Sequence, residues 1–151
     1  MPQVGSGGRD DIEEAVAVRM TRQRILCSKG GRFAFIIGEA ALHQVVDSAA
    51  IMAARLQALI GHAGNPRVDL SIVPLAAAAP IGSHGFAMFD RDSVMVETIS
   101  AELTVTRPSE IAVYDDAFRA MHEIAARGSA AVGILARIGA EHEQHQHGVA
   151  D

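Results

Sequence analysis

Tryptophan is absent from this sequence, tyrosine occurs once and phenylalanine five times. A core must therefore be assembled from small aliphatic pieces, and Ala and Val supply much of the 49% hydrophobic content. Any sizeable pocket would stand out by its few aromatics: Phe33, Phe35, Phe86, Phe89, Tyr114 and Phe118. A single cysteine, Cys27, rules out an intrachain disulfide and fits a reducing, cytoplasmic setting. It has no acidic or histidine neighbour in sequence and reads as a small buried hydrophobe. No apolar run approaches the ~20 residues of a membrane helix, and the greasiest stretch, 72–81, is broken by Pro74 and Pro80. The polar, glycine-rich start lacks the apolar segment of a signal peptide. A basic excess is missing as well. The net charge is −5, and bases gather only at Arg19, Arg22, Arg24, Lys29 and Arg32. They read as a solvated or salt-bridged helix face, so no nucleic-acid partner is expected. Short catalytic signatures are also lacking. Gly5-Ser6-Gly7-Gly8 precedes no strand, as a dinucleotide fingerprint requires, and Ser83 lacks the spacing of a nucleophile elbow.

What is present fits one domain: 151 residues can bury a core without staples. Residues 1–8 read as a flexible lead, 9–140 as a single domain and 141–151 as a polar, disordered tail bearing His142, His145 and His147. Acids early and bases late mark a helix from Asp10 or Asp11 to about Leu26, ended by glycines 30 and 31. Phe33–Ile37 is a buried strand, Glu39–Val46 a short helix, and Asp47 or Ser48 caps a longer one. In that longer helix Met52, Leu56, Leu59, Ile60 and Ala63 form the apolar stripe, and Pro66 prevents continuation. Val68–Val73 alternates with Asp69 and Ser71, predicting a strand with one wetter face. Phe86–Phe89 and Val94–Glu97 flank a four-residue turn as a hairpin, and Leu103–Val105 is a further short strand. Ser109 caps a helix carrying Ile111, Tyr114, Phe118, Met121 and Ala125, and Gly128 closes it. A last helix starts at Ser129 with Val132, Leu135 and Ile138 inward. The class is α/β (α+β): a small mixed sheet of roughly three to five strands packed by about five helices. A second copy of the chain, a homodimer, can cover its edges.

Three residues can carry acid–base chemistry. Glu39 stands where a strand hands over to a helix, a common place for α/β ligand sites; it is either a base or ligand anchor, or a first-turn carboxylate that steadies its helix. His84 lies in the loop Gly82-Ser83-His84-Gly85, and Glu97, with Thr98, ends a strand. Met in one apolar cleft, two carboxylates would separate into an acid and a base. His84 can equally be a solvent-facing turn residue, and Glu97 an edge-of-sheet charge. Phe35, Phe86 and Tyr114 can shape the cavity, with His43, four residues after Glu39, on the same helix face. Glu39 and His43 are two ligands and do not make a metal site; the tail histidines are expected to be unfolded, and no cofactor is expected.

The pieces in order are a helix ending VAVRMTRQRIL, then FIIGEAAL, NPRVDLSIVPL, HGFAMF, VMVET and PSEIAVYDDAFRAM. This set resembles the domain that follows the helix-turn-helix in many actinobacterial XRE-type regulators, the WhiJ-like and antitoxin-like group. The resemblance runs from about Asp11 to Ile138 and implies a sensing or partner-binding role in transcriptional control. The helix-turn-helix itself is absent, and the family's usual acidic and basic positions around this glutamate hold Gly38 and His43. The resemblance thus implies a stand-alone small-molecule-binding, sensor-like domain, with a protein partner as a further possibility and no contact with DNA or membrane. The alternative is a small acid–base enzyme of specialised metabolism, a cyclase or isomerase, using Glu39, Glu97 and His84.

Overall fold

The computed structural model describes residues 13, 14, 16–18, 20, 21, 24, 26, 30–78, 84–98 and 100–147. The chain divides at Phe33 and Ala34 into two units. In the first, residues 13, 14, 16–18, 20, 21 and 24 are helical, and Thr21 Oγ1 donates to the Ala17 carbonyl one turn back. The start expected for this helix, at Asp10 or Asp11, and Cys27 lie outside the described residues; Leu26, its expected end, is in a 3-10 turn. Gly31 adopts a φ of 79°, the left-handed conformation that the expected turn requires.

The second unit is mixed α/β. Strand β1 (Phe33–Gly38), which begins at the division, leads into α1 (Glu39–His43) and α2 (Ala49–Ala63). Then come β2 (Val68–Val73), β3 (Phe86–Phe89), β4 (Ser93–Glu97), β5 (Glu102–Val105), α3 (Pro108–Ile124), β6 (Ala126–Arg127) and α4 (Ser129–His147). The strands divide between two three-stranded sheets, β1-β2-β6 and β3-β4-β5, where the sequence pattern grouped them in one. The division follows from the chain's own order. β3, β4 and β5 follow one another through short turns and pair as antiparallel neighbours, whereas β2 pairs antiparallel with β6, two residues too short to carry a periodic signal.

Leu56, Ile72, Leu135 and Ile138 are almost wholly removed from water, and α2 lies along α4. Strand β2 is the middle of its sheet and touches α2, α3 and α4. That covering limits the expected wet face to Asp69, which is exposed: Ser71 is fully buried, and its Oγ has no hydrogen-bond partner among the described residues. Alternation marks an exposed face only where a face stays open. The second sheet packs Val94, Val96 and Val105 on Ile111 of α3, with Phe86, Met88 and Tyr114 around them.

Local chemistry explains the ends. Ser48 Oγ accepts from the Ile51 amide and caps α2, and Asp47 before it sits at φ 70°. α1 stops at His43, shorter than the expected run to Val46, whose two valines are exposed. Pro108 is at the first turn of α3 with Arg107 at the cap, so Ser109 is not the cap. The β3–β4 turn has three residues, since Phe89 pairs with Ser93, and Asp90 takes the left-handed conformation at φ 51° that aspartate tolerates. Gly128 does so at φ 56° between β6 and α4.

The largest departure is the C-terminal segment. α4 runs on to His147, and His142 is buried at 6% exposure. The segment from 141 is therefore not a disordered tail up to that point.

Candidate functional site

Glu39 is the first residue of α1 and only 6% exposed. Its Oε2 accepts from the Leu75 amide at 2.9 Å, and its Oε1 accepts from an Arg137 guanidinium nitrogen. Arg137 also donates to Glu141 at 2.7 Å. His43 stands between the two acids, Nε2 3.5 Å from Glu39 and Nδ1 3.6 Å from Glu141. Next to Glu141 on α4, His142 Nε2 donates to the Leu42 carbonyl at 2.9 Å. These contacts clamp α1 to α4. The Leu75 amide holds the Glu39 carboxyl below its ordinary 4.5, against the opposing effect of burial, with Arg137 and His43 acting the same way. A carboxylate so satisfied is a weak proton acceptor, so its geometry suits an anchor better than a general base.

Stability should register this. Glu39→Gln keeps an acceptor for Leu75 but removes the charge opposite Arg137, which is half exposed and partly screened. A loss of about 1–2 kcal/mol at pH 7 is expected. Because the folded carboxyl titrates below the unfolded one, its contribution is complete above about pH 4.5 and fades as acid protonates it. Urea unfolding at pH 7 and pH 3.5 should show the wild-type advantage shrinking in acid; an advantage that stays constant would exclude this role for the charge.

The other expected site residues lie elsewhere. Glu97 is exposed at the end of β4, opposite Glu102. Thr98 closes the β4–β5 turn, its Oγ1 donating to the Ala101 carbonyl and accepting from the Ala101 amide. Phe35 is on β1, in the other sheet, and 40% exposed. What the structure does bring together is His84, Phe86 and Tyr114. The Tyr114 ring meets Phe86 edge-on at 5.0 Å between centroids, and His84 at 6.3 Å.

Concave surface is found along α3 instead. One cleft, of about 240 Å³, lies between β3 with its turn and α3, lined by Met88, Arg91, Pro108, Ile111, Asp115 and Arg119. A second, of about 200 Å³, continues past Arg119 to Phe118, His122 and Glu123. Both are open, and neither is lined by Glu39, His84 or Glu97. Arg119 is tied to Asp115 at 2.6 Å, while Arg91 has no ion pair among the described residues. In the second cleft His122 stacks on Phe118 and donates from Nε2 to Asp69 at 2.9 Å. Sequence reasoning missed this set because Asp69 and His122 lie 53 positions apart. The one available signal was the recurrence of Asp115, Arg119 and His122 at spacings of four and three on a single helix. Among the described residues no cluster of three or more His, Cys, Asp or Glu side chains is placed to hold a metal ion. No described helix is long and apolar enough to cross a membrane.

Fold and surface together define a mixed α/β domain with an open, charged groove along one helix. Residues 5–137 match the family described as Domain of unknown function (DUF5753), and the chain belongs to that family. No curated protein and no solved structure matches it significantly.

Proposed function

We propose that this chain is a small-ligand-binding, sensor-like module, related to the domain that follows the helix-turn-helix in actinobacterial XRE-type regulators, and that it does not itself contact DNA. The relation rests on the ordered motifs from Asp11 to Ile138. The binding reading rests on one observation: an apolar-floored groove carrying Arg91 and Arg119 on a chain of net charge −5. Met88, Pro108 and Ile111 offer a surface for an apolar body, and the Arg91 guanidinium, without an ion pair among the described residues, offers two parallel donors to a carboxylate. The acid–base alternative gains no support at Glu39, whose charge is committed to Leu75 and Arg137.

Titration of the 15N-labelled protein with hexanoate tests the reading. Saturable shifts at Met88, Arg91, Ile111 and Arg119 are expected, weakened about tenfold or more in Arg91→Ala. A DNA duplex at physiological salt should leave the same spectrum unchanged. Hexanoate shifts scattered over the surface, or a response to DNA, would overturn it.

A further inference from the structure

The second unit contains two apolar cores. Leu56, Ile72, Leu135 and Ile138 fill the one between α2, α4 and the first sheet. Val94, Val96, Val105 and Ile111 fill the other, and each of these comes from the β3-β4-β5 sheet or from α3. A body that closes its own core can move as a whole and keep its shape.

The two bodies meet where α3 lies on β2, and this junction is unlike either core. Side chains alternate between the faces of a strand, so Asp69 and Ser71 share one face of β2. The hydrogen bond between Asp69 and His122 Nε2, at 2.9 Å, turns that face toward α3. Both partners are part exposed, Asp69 by 49% and His122 by 27%, so the pair is a weak tie. Two residues on, Ser71 is wholly buried, and its Oγ has no hydrogen-bond partner among the described residues. Sealing a hydroxyl from water without a partner is unfavourable, and opening the junction relieves it. The chain leaves α3 at Ala125 in extended conformation, ψ 143°, and runs straight into β6. A rotation about this residue swings the helix without unpairing β6 from β2.

We propose that α3 and the β3-β4-β5 sheet form a lid that swings off β2 at Ala125, with the bond between Asp69 and His122 as its latch. Opening brings solvent to the Ser71 hydroxyl while the core between α2 and α4 stays closed. The first cleft travels with the lid, since Met88, Arg91, Pro108, Ile111, Asp115 and Arg119 all belong to it. The lid is therefore independent of the groove as a ligand site.

Thiol labelling of the full chain tests this, in a Cys27→Ala background because Cys27 is the sole native cysteine. Ser71→Cys sets a thiol under the lid. Ala131→Cys sets one on α4, where Ala131 is buried. Under native conditions iodoacetamide is expected to label the Ser71→Cys thiol about tenfold or more faster than the Ala131→Cys thiol. Its rate should rise only slightly with urea below the unfolding transition, because a lid exposes less surface than global unfolding does. Adding Asp69→Ala should speed labelling of the Ser71→Cys thiol about two- to fivefold, the effect of losing one part-exposed pair. Equal rates with equal urea dependence at the two positions would mean that Ser71 is reached only by global unfolding, and the lid would be wrong. A rate that Asp69→Ala leaves unchanged would show that the latch stays closed during exposure, which overturns the proposed swing off β2.

Discussion

Deleting residues 141–151 is expected to destabilise the protein by roughly 2–4 kcal/mol, lowering its melting temperature by roughly 5–15 °C. The deletion removes Glu141, which shares Arg137 with Glu39 and faces His43. It also removes His142, whose imidazole is buried and satisfies the Leu42 carbonyl. A buried carbonyl left without its donor costs about 1–3 kcal/mol, and the space vacated by a buried side chain adds to that. His142→Ala alone should account for most of the loss. A shorter deletion beginning at Gly148 retains both residues and serves as the control. Differential scanning calorimetry of the three forms decides the matter: melting of the 141–151 deletion within a degree or two of the intact chain would mean that the end of α4 contributes nothing.

The second large effect belongs to the seam between α2 and α4. Leu135 is fully buried on α4, with Ile138 one turn away and Leu56 equally buried on the facing helix. Leu135→Ala should cost about 2–5 kcal/mol, the spread reflecting how far the seam can collapse into the void. Leu135→Met conserves volume and should cost less than about 1.5 kcal/mol. The pair separates packing from helix propensity, since Ala is the better helix former and still loses. Equal chemical denaturation midpoints for the two variants would show that the seam is not tightly packed.

Much of the fold was legible because it is written in local periodicity. Met52 and Leu56 on α2, and Leu135 and Ile138 on α4, fall on the buried faces that 3–4 spacing marks. The β3–β4 hairpin was visible as two apolar runs around aspartates, within one residue of its true turn. The same periodicity extends past residue 140. Ala131, Leu135, Ile138 and His142 keep one 3–4 series, so the helical stripe continues into the segment read as a tail. The polar composition of that segment concealed the continuation. Other features were out of reach for a different reason. The partners of Glu39 and Leu42 lie 98 and 100 positions away, and no local pattern specifies such a pairing. Glu39 stands at a strand-to-helix junction, the kind of place where ligand sites form. The junction is real, but Arg137 makes it an anchoring point. The groove escaped because it is assembled from a turn arginine and the side of a helix adjoining the apolar stripe, positions that sequence patterns class as ordinary solvated surface.

The clamp between α1 and α4 bears on the order in which the protein can be made. A chain leaving the ribosome presents Glu39 and Leu42 early, and their counterparts Arg137 and His142 nearly a hundred residues later. During that interval the carboxylate lacks its cation and the carbonyl its donor, so burying either would be costly. The α1 region of the nascent polypeptide therefore stays hydrated until α4 emerges, and its docking waits on that helix.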